Sequence, residues 1–106
     1  MRLRRLGGDS EVGHSPTLFL TETNPPRYVV QGWRTNKANQ IEIPHGLLTY
    51  LEPCSCLGAL LRDTGHGTFL LTGDPVADTE ALEQIQLPVH ETAVEVPVGR
   101  QIRRDA

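Results

Sequence analysis

Two stretches constrain this chain most: RYVVQGWRT, from Arg27 to Thr35, and TFLLTGDPV, from Thr68 to Val76. Each sets an aromatic residue, two aliphatic residues and a polar residue ahead of a glycine. Runs of β-branched and aromatic residues stopped by a turn former read as strands. A second apolar run and a turn precede each one. PTLFLT (Pro16–Thr21) and TETNPPR lead into the first, LGALLRDT and GHG into the second. Proline, asparagine and glycine in those links are turn chemistry, so both units read as hairpins. A short strand then follows each hairpin and ends at proline: QIEIP (Gln40–Pro44) and HETAVEVP (His90–Pro97).

Laid together, SPTLFLTETNPPRYVVQGW matches LGALLRDTGHGTFLLTGDP, and IEIPHGLLTYL matches VEVPVGRQIRR. The match is one of residue classes, with few identities. A second registration sets IEIPHGLLTYLEP against IQLPVHETAVEVP, and both stay open. The reading is an internal duplication, with pseudo-repeats at residues 15–53 and 57–97 in one domain (15–97). A flexible arm (1–14) precedes it, a basic tail (98–106) follows it, and CSC (Cys54–Cys56) is the seam.

A lone hairpin is marginal in water, so the expected fold is mainly β (β-rich α+β): an antiparallel sheet, small sandwich or barrel of about six strands, with one or two short helices. Leu47, Leu48 and Leu51 give HGLLTYLEP a helical face that stops before Pro53. Asp78 suits an N-cap and Glu80 the first turn, with Ala81, Leu82 and Ile85 on one side; this predicts a helix over 78–86. The expected core is Leu18, Leu20, Val29 or Val30, Ile41, Ile43, Leu60, Phe69, Leu71, Val94 and Val96.

The chain has 106 residues, 38% of them hydrophobic, which suits one domain with a modest core. Aromatic residues are 5%, too few for a base-stacking platform. Arg2, Arg4 and Arg5 lie at the start and Arg100, Arg103 and Arg104 at the end, whereas ten acids face four bases between Val12 and Gly99. An acidic body with basic ends lacks the phosphate-neutralising surface of a nucleic-acid binder and suits a basic protein partner. MRLRRLGGDS is followed by no apolar stretch of a signal peptide, and no apolar run approaches a membrane span. A cytoplasmic protein is expected, with no membrane partner.

Candidate chemistry is sparse. Asp63-Thr64-Gly65 is the tripeptide of aspartic proteases, which need two carboxylates sharing a proton. Here His-Gly-Thr follows it, and the repeat puts DTGHG where the first copy has TETNPP, so it reads as a hairpin tip. Cys54 and Cys56, with His14, His45, His66 and His90, bring zinc to mind, but C-x-C is not the usual ligand spacing. Two reduced cysteines fit better, and no metal or cofactor is expected. RLGGDS lacks the strand and helix that would make it a phosphate loop. Trp33 beside Arg34 pairs the two residue types commonest at interface hot spots.

SPTLFLTETNPPRYVVQGW and ADTEALEQIQLPVHETAVEVP make the chain look like short proteins common in filamentous actinobacteria. Each half also resembles the BldB-like developmental family, with Ser15-Pro16-Thr17-Leu18 and IEIPHGLLTYL in the places of that family's first strand and its short strand plus helix. It departs from the family in having no Asp-Ser-Lys after the second strand and no tryptophan in the helix. The resemblance implies an accessory role beside a helix-turn-helix regulator in development, acting through protein contacts, and brings no catalytic residues.

The expected function is therefore a non-catalytic protein–protein interaction module, with Trp33, Arg34, Asp78, Glu80 and Glu83 as its contact residues. Sheet edges near Pro16 and Val94 offer a route to a homodimer. Two other classes compete: a small ligand binder or enzyme with its site near Asp63, His66 and His90, and a direct DNA binder using the arginine-rich termini.

Overall fold

A computed structural model of the chain describes residues 1–8 and 16–100. Its elements run β1 (Leu3–Gly8), β2 (Thr17–Thr21), β3 (Arg27–Arg34), β4 (Gln40–Pro44), a 3₁₀ turn (His45–Tyr50), β5 (Ser55–Leu57), β6 (Leu61–Asp63), β7 (Thr68–Thr72), β8 (Asp74–Pro75), α1 (Thr79–Ile85) and β9 (Glu91–Arg100). The protein is mainly β, and all nine strands join one antiparallel sheet that is not closed. Among the described residues β1 pairs only with β2 and β6 only with β7.

β3 organises the sheet. One side of it carries β9, from Arg27 opposite Pro97 to Trp33 opposite Glu91. The other side is shared. β2 takes Tyr28 to Gln31, and β4 takes Trp33 and Arg34. The handover falls at Gly32, where a Cβ would lie 2.7 Å from the Glu42 carbonyl oxygen and 2.8 Å from Ile43 Cγ2. The run from β7 to β8 repeats the manoeuvre. β7 pairs with β4 up to Thr72, β8 pairs with β9 from Asp74, and Gly73 lies between. A Cβ there would meet Val96 Cγ1 at 2.7 Å and the Glu95 carbonyl at 3.0 Å. Both glycines are needed because the facing backbone occupies the space of a side chain.

The registers correspond pair by pair. Val94 lies opposite Val30 and Val96 opposite Tyr28, as Ile41 lies opposite Leu71 and Ile43 opposite Phe69. Trp33 faces Glu42 as Asp74 faces Glu95.

Alternation along β3 sends its residues into two cores. Tyr28 and Val30 join Leu18, Ile41, Ile43, Leu47, Leu57, Leu71, Val94 and Val96 in the larger one. Leu47 comes from the 3₁₀ turn and is fully buried, which is worth about 1.5–3 kcal/mol for a side chain of that size. Val29 faces the other way, with Phe19, Ala93 and Ile85 of α1. α1 forms as the sequence predicts: the Asp78 carboxylate accepts the Ala81 N–H at 3.0 Å, and Gln86 in the left-handed region ends the helix.

Several expectations are corrected. Residues 3–8, expected in a loose arm, form β1 and pair with β2 through a register shift between Arg5 and Gly7, with Leu3 packed against the smaller core and Leu6 against the larger; residues 9–14 lie outside the described residues. CSC is not a bare seam, since Ser55–Leu57 pairs with the end of β9. Of the expected basic tail, residues 98–100 extend β9, and 101–106 lie outside the described residues. Neither proposed dimer edge exists: β2 is flanked by β1 and β3, and Val94 has Val30 on one side and Pro75 on the other. Leu60, expected in the core, is 73% exposed. Leu61 opposite Leu71 takes the inward place, and one residue of shift reverses the face.

The Tyr28 hydroxyl fastens the segment between the halves. It accepts the Glu52 N–H at 2.9 Å and bonds to the Ser55 hydroxyl, whose own proton goes to the Glu52 carbonyl at 2.7 Å. Ser55 therefore receives the tyrosine proton, and each buried polar atom of the knot is satisfied.

Two stability measurements check this account. Tyr28→Phe, which strands the Glu52 N–H and removes the donor to the Ser55 hydroxyl, is expected to cost about 1–3 kcal/mol in denaturant unfolding. Gly32→Ala and Gly73→Ala should each cost a similar amount, about 1–3 kcal/mol, because the added methyl meets backbone and β-branched atoms that cannot yield. A neutral result at either glycine would mean that the strand handover tolerates a side chain.

Candidate functional site

Trp33 ends the regular part of β3. Opposite it on β4 is Glu42, opposite Glu42 on β7 is Leu70, and opposite Leu70 on β6 is Arg62. Residues directly opposite share a face of the sheet, so these four form one row across four strands. Among the described residues no helix lies over it: α1 and the 3₁₀ turn contribute their buried residues elsewhere. Leu60 extends the same face, since its carbonyl accepts the Thr72 N–H at 3.1 Å and alternation turns it away from inward Leu61. At the other end, Arg34 bonds through its backbone N–H to the His90 carbonyl and through Nε to the Val89 carbonyl. Val89 is 92% exposed.

The matching row on the other half is Asp74, Glu95, Val29 and Phe19. It is covered: α1 places Ile85 against Phe19, Val29 and Ala93, with Leu3, Val76 and Leu87 around them. Among the described residues, one face of the sheet thus carries a helix in its first half and none in its second.

Charge is distributed otherwise than the residue count suggests. Most carboxylates have a local partner: Glu22 with Arg2, Glu52 with Arg4, and Asp74 and Glu95 with Arg27. Asp78 and Glu80 hold the Met1 ammonium at 2.6 and 2.7 Å. Fully buried Glu91 accepts the Gln31 amide at 2.9 Å, with His90 Nε2 3.3 Å from its other oxygen. Among the described residues, Arg34, Lys37, Arg62 and Arg100 have no carboxylate within 4.0 Å. Two arginines from the start of the chain are engaged in ion pairs, and Arg103 and Arg104 lie outside the described residues.

The expected contact residues therefore separate. Trp33 lies in the uncovered row, whereas Arg34, opposite Ile41 at the end of β3, alternates to the other side of the sheet. Asp78 and Glu80 face the start of β1, where Gln84 also binds the Met1 carbonyl and the Leu3 N–H. Glu83 is exposed and has no partner among the described residues. Leu60, Leu70 and Arg62, which share the uncovered face, were not singled out by the sequence; aligning LLRD on the inward positions of FLL would have turned Leu60 and Arg62 outward.

Asp63, His66 and His90 are not brought together. Asp63 and His66 stand at the β6–β7 turn, whereas His90 precedes β9. Asp63 Oδ1 accepts the Gly65 N–H at 2.9 Å and lies 3.2 Å from His45 Nε2. His66 Nε2 is 3.4 Å from Glu42, whose carboxylate also accepts the Thr68 hydroxyl at 2.6 Å. The DTG tripeptide thus closes a turn, with Gly65 and Gly67 at positive φ. Cys54 and Cys56 are free thiols. No group of three or more metal-ligating side chains occurs among the described residues. An open groove of about 410 Å³ lies elsewhere, between Leu20, Pro25, Pro53, Cys54, Val98 and Arg100.

The Gly65 N–H, then His45, hold the Asp63 carboxyl below its ordinary 3.8. The Met1 ammonium, then the Ala81 N–H, do the same for Asp78. A lowered folded-state pKa stabilises the native state above the ordinary value and ceases to do so as pH falls through the folded one. Asp63→Asn and Asp78→Asn should therefore lower Tm by a few degrees near neutral pH, and the gap should close below pH 3.8. A gap that persists unchanged in acid would place the effect in shape rather than charge.

No family model, curated protein or solved structure matches this chain.

Proposed function

We propose that this protein is a non-catalytic interaction module that docks a partner protein on the uncovered face of β3, β4, β7 and β6. The observation that carries the reading is the row Trp33–Glu42–Leu70–Arg62, flanked by exposed Leu60 and Val89 and lacking the helix that covers the matching row. Exposed apolar residues grouped on one face, with a tryptophan and an arginine among them, have the composition of an interface centre. Trp33 is the expected contact residue that lies on this face, and Leu60, Leu70 and Arg62 join it; Arg34 borders the face from the end of β3.

The two halves are read as copies of one strand–turn–strand unit. The shared pairing registers and the equivalent surroundings of Gly32 and Gly73 support this, and favour the registration that sets IEIP on VEVP. In this view the open face is the second copy of a surface that α1 fills in the first. The resemblance to BldB-like developmental proteins makes a helix-turn-helix regulator encoded nearby the first partner to try, in the cytoplasm of an actinobacterium. A second copy of the chain is the alternative occupant.

Bait purification from the native host tests the reading. The wild-type chain should retain a defined protein, the regulator first among candidates, and Leu60→Asp, an exposed substitution, should lose it while unfolding at the same temperature. Retention undiminished by Leu60→Asp would move the contact off this face. Recovery of the chain alone, as a dimer by light scattering, would assign the face to self-association.

A further inference from the structure

We infer that the groove at the end of the larger core is a binding site for a small carboxylate with an apolar body. The site shares no residue with the open face and does not rest on the interaction-module reading. Its walls follow from the strand registers. Along β9, Val96 is buried in the larger core, Val98 is half-buried against it and Arg100 is exposed, so one face of the strand climbs out of the core. Ser55 lies opposite Arg100 and turns its hydroxyl to Tyr28, which sets the Arg100 stem on that same face. Leu20, opposite Tyr28 on β2, forms the other wall. Between them lies an open groove of about 410 Å³, the size of a small-molecule site.

The groove is apolar where the body of a ligand would rest. Leu20 and Val98 pack on the larger core, and exposed Pro25, Pro26 and Pro53 form the rim. Proline has a fixed ring and no N–H, so these three present hydrocarbon surface and no backbone donor. A phosphate or a sugar, which needs several donors, finds none from them. The polar atoms at the floor are committed to one another: the Tyr28 hydroxyl accepts the Glu52 N–H, and the Ser55 hydroxyl donates to the Glu52 carbonyl.

Charge selects the head group. Among the described residues, Glu52 is the one carboxylate in the lining, and Arg4 neutralises it at 2.6 Å. Arg100 is the one cation in the lining, and among the described residues no carboxylate lies within 4.0 Å of it. A ligand with a single negative charge therefore meets a single free guanidinium, whose fork matches a carboxylate through two parallel hydrogen bonds. A second negative charge, as on a phosphate monoester, would have no cation left and would face Glu52. Cys54 also lines the groove as an exposed free thiol, so a ligand seated there shields it from reagents.

Titration of the isotope-labelled full chain with benzoate, phenylacetate, hexanoate and octanoate, followed by amide NMR, tests the inference. At least one acid should saturably shift the Leu20, Cys54, Ser55, Val98 and Arg100 resonances. It should also slow modification of Cys54 by N-ethylmaleimide, located by mass spectrometry. The amide of that acid, which keeps the shape and loses the charge, should bind at least about tenfold more weakly. Arg100→Gln, an exposed change with its fold checked by thermal unfolding, should cost the acid a similar factor and leave the amide unaffected. Added salt should weaken the acid alone. Equal binding of acid and amide, binding undiminished in Arg100→Gln, or no saturable shift from any of the acids overturns the inference. So does phenyl phosphate binding as tightly as the acids, or a peptide ending in a free leucine carboxylate that binds while none of the small acids does. Leu60→Asp should leave these titrations unchanged, which keeps the outcome at this groove separate from that at the open face.

Discussion

The fold depends on two places where backbone passes backbone with no room for a side chain. A strand that bonds to one neighbour along its first half and another along its second must cross the gap between them. At Gly32 and Gly73 the carbonyl and aliphatic atoms of the facing strand fill that gap to 2.7–3.1 Å of where a Cβ would stand. These crossings let β3 and the β7–β8 run each touch strands of both halves. They bend the sheet round a core containing Ile41, Ile43, Leu71, Val94 and Val96, and leave its other face for α1 on one side and for solvent on the other.

That asymmetry connects fold and function. Phe19 and Val29 are large apolar residues that require cover, and Ile85 supplies it. Their counterparts Arg62 and Leu70 carry a charge and a half-buried leucine, a surface stable in water yet ready to be covered. Acids dominate the sequence between Val12 and Gly99, but the folded chain turns most of them onto its own cations, ammonium or histidines. Among the described residues, Glu83 and the cations Arg34, Lys37, Arg62 and Arg100 are left without an ion-pair partner, and of these Arg62 stands in the open row.

The sequence made the strand pairs and the helix legible. Both hairpins, β4, α1 with its Asp78 cap, and most of the strand core follow from apolar alternation and turn residues. Gln31 and Glu91 show where this fails: both are polar by composition and fully buried, joined across adjacent strands by the Gln31 amide donating to the Glu91 carboxylate. Tyr28 hides a hydrogen-bond knot that only Ser55 and Glu52, more than twenty residues away, reveal. β1 was invisible because LRRLGG lacks strand alternation and looks like a basic arm until β2 is beside it. Leu60 turned outward because LL offers two registers and only the partner strand chooses. On the open face Trp33 stood out in the sequence by residue type, whereas Leu70 and Arg62 did not, because their place in the row is set by which strand lies opposite.

β9 has a temporal consequence. It lies against β3 on one side and against β8 and β5 on the other, drawing on strands from both halves. On the ribosome β3 emerges some sixty residues before its main partner, a delay of several seconds at ordinary synthesis rates of about 5–20 residues per second. Through that interval Val29 and Val30 have β2 alone to shelter them, on one edge of the strand. The long-range pairing that gives the finished sheet its strength thus leaves an aliphatic edge open in the nascent chain, and a chaperone or early partner that shields β3 would act before β9 arrives.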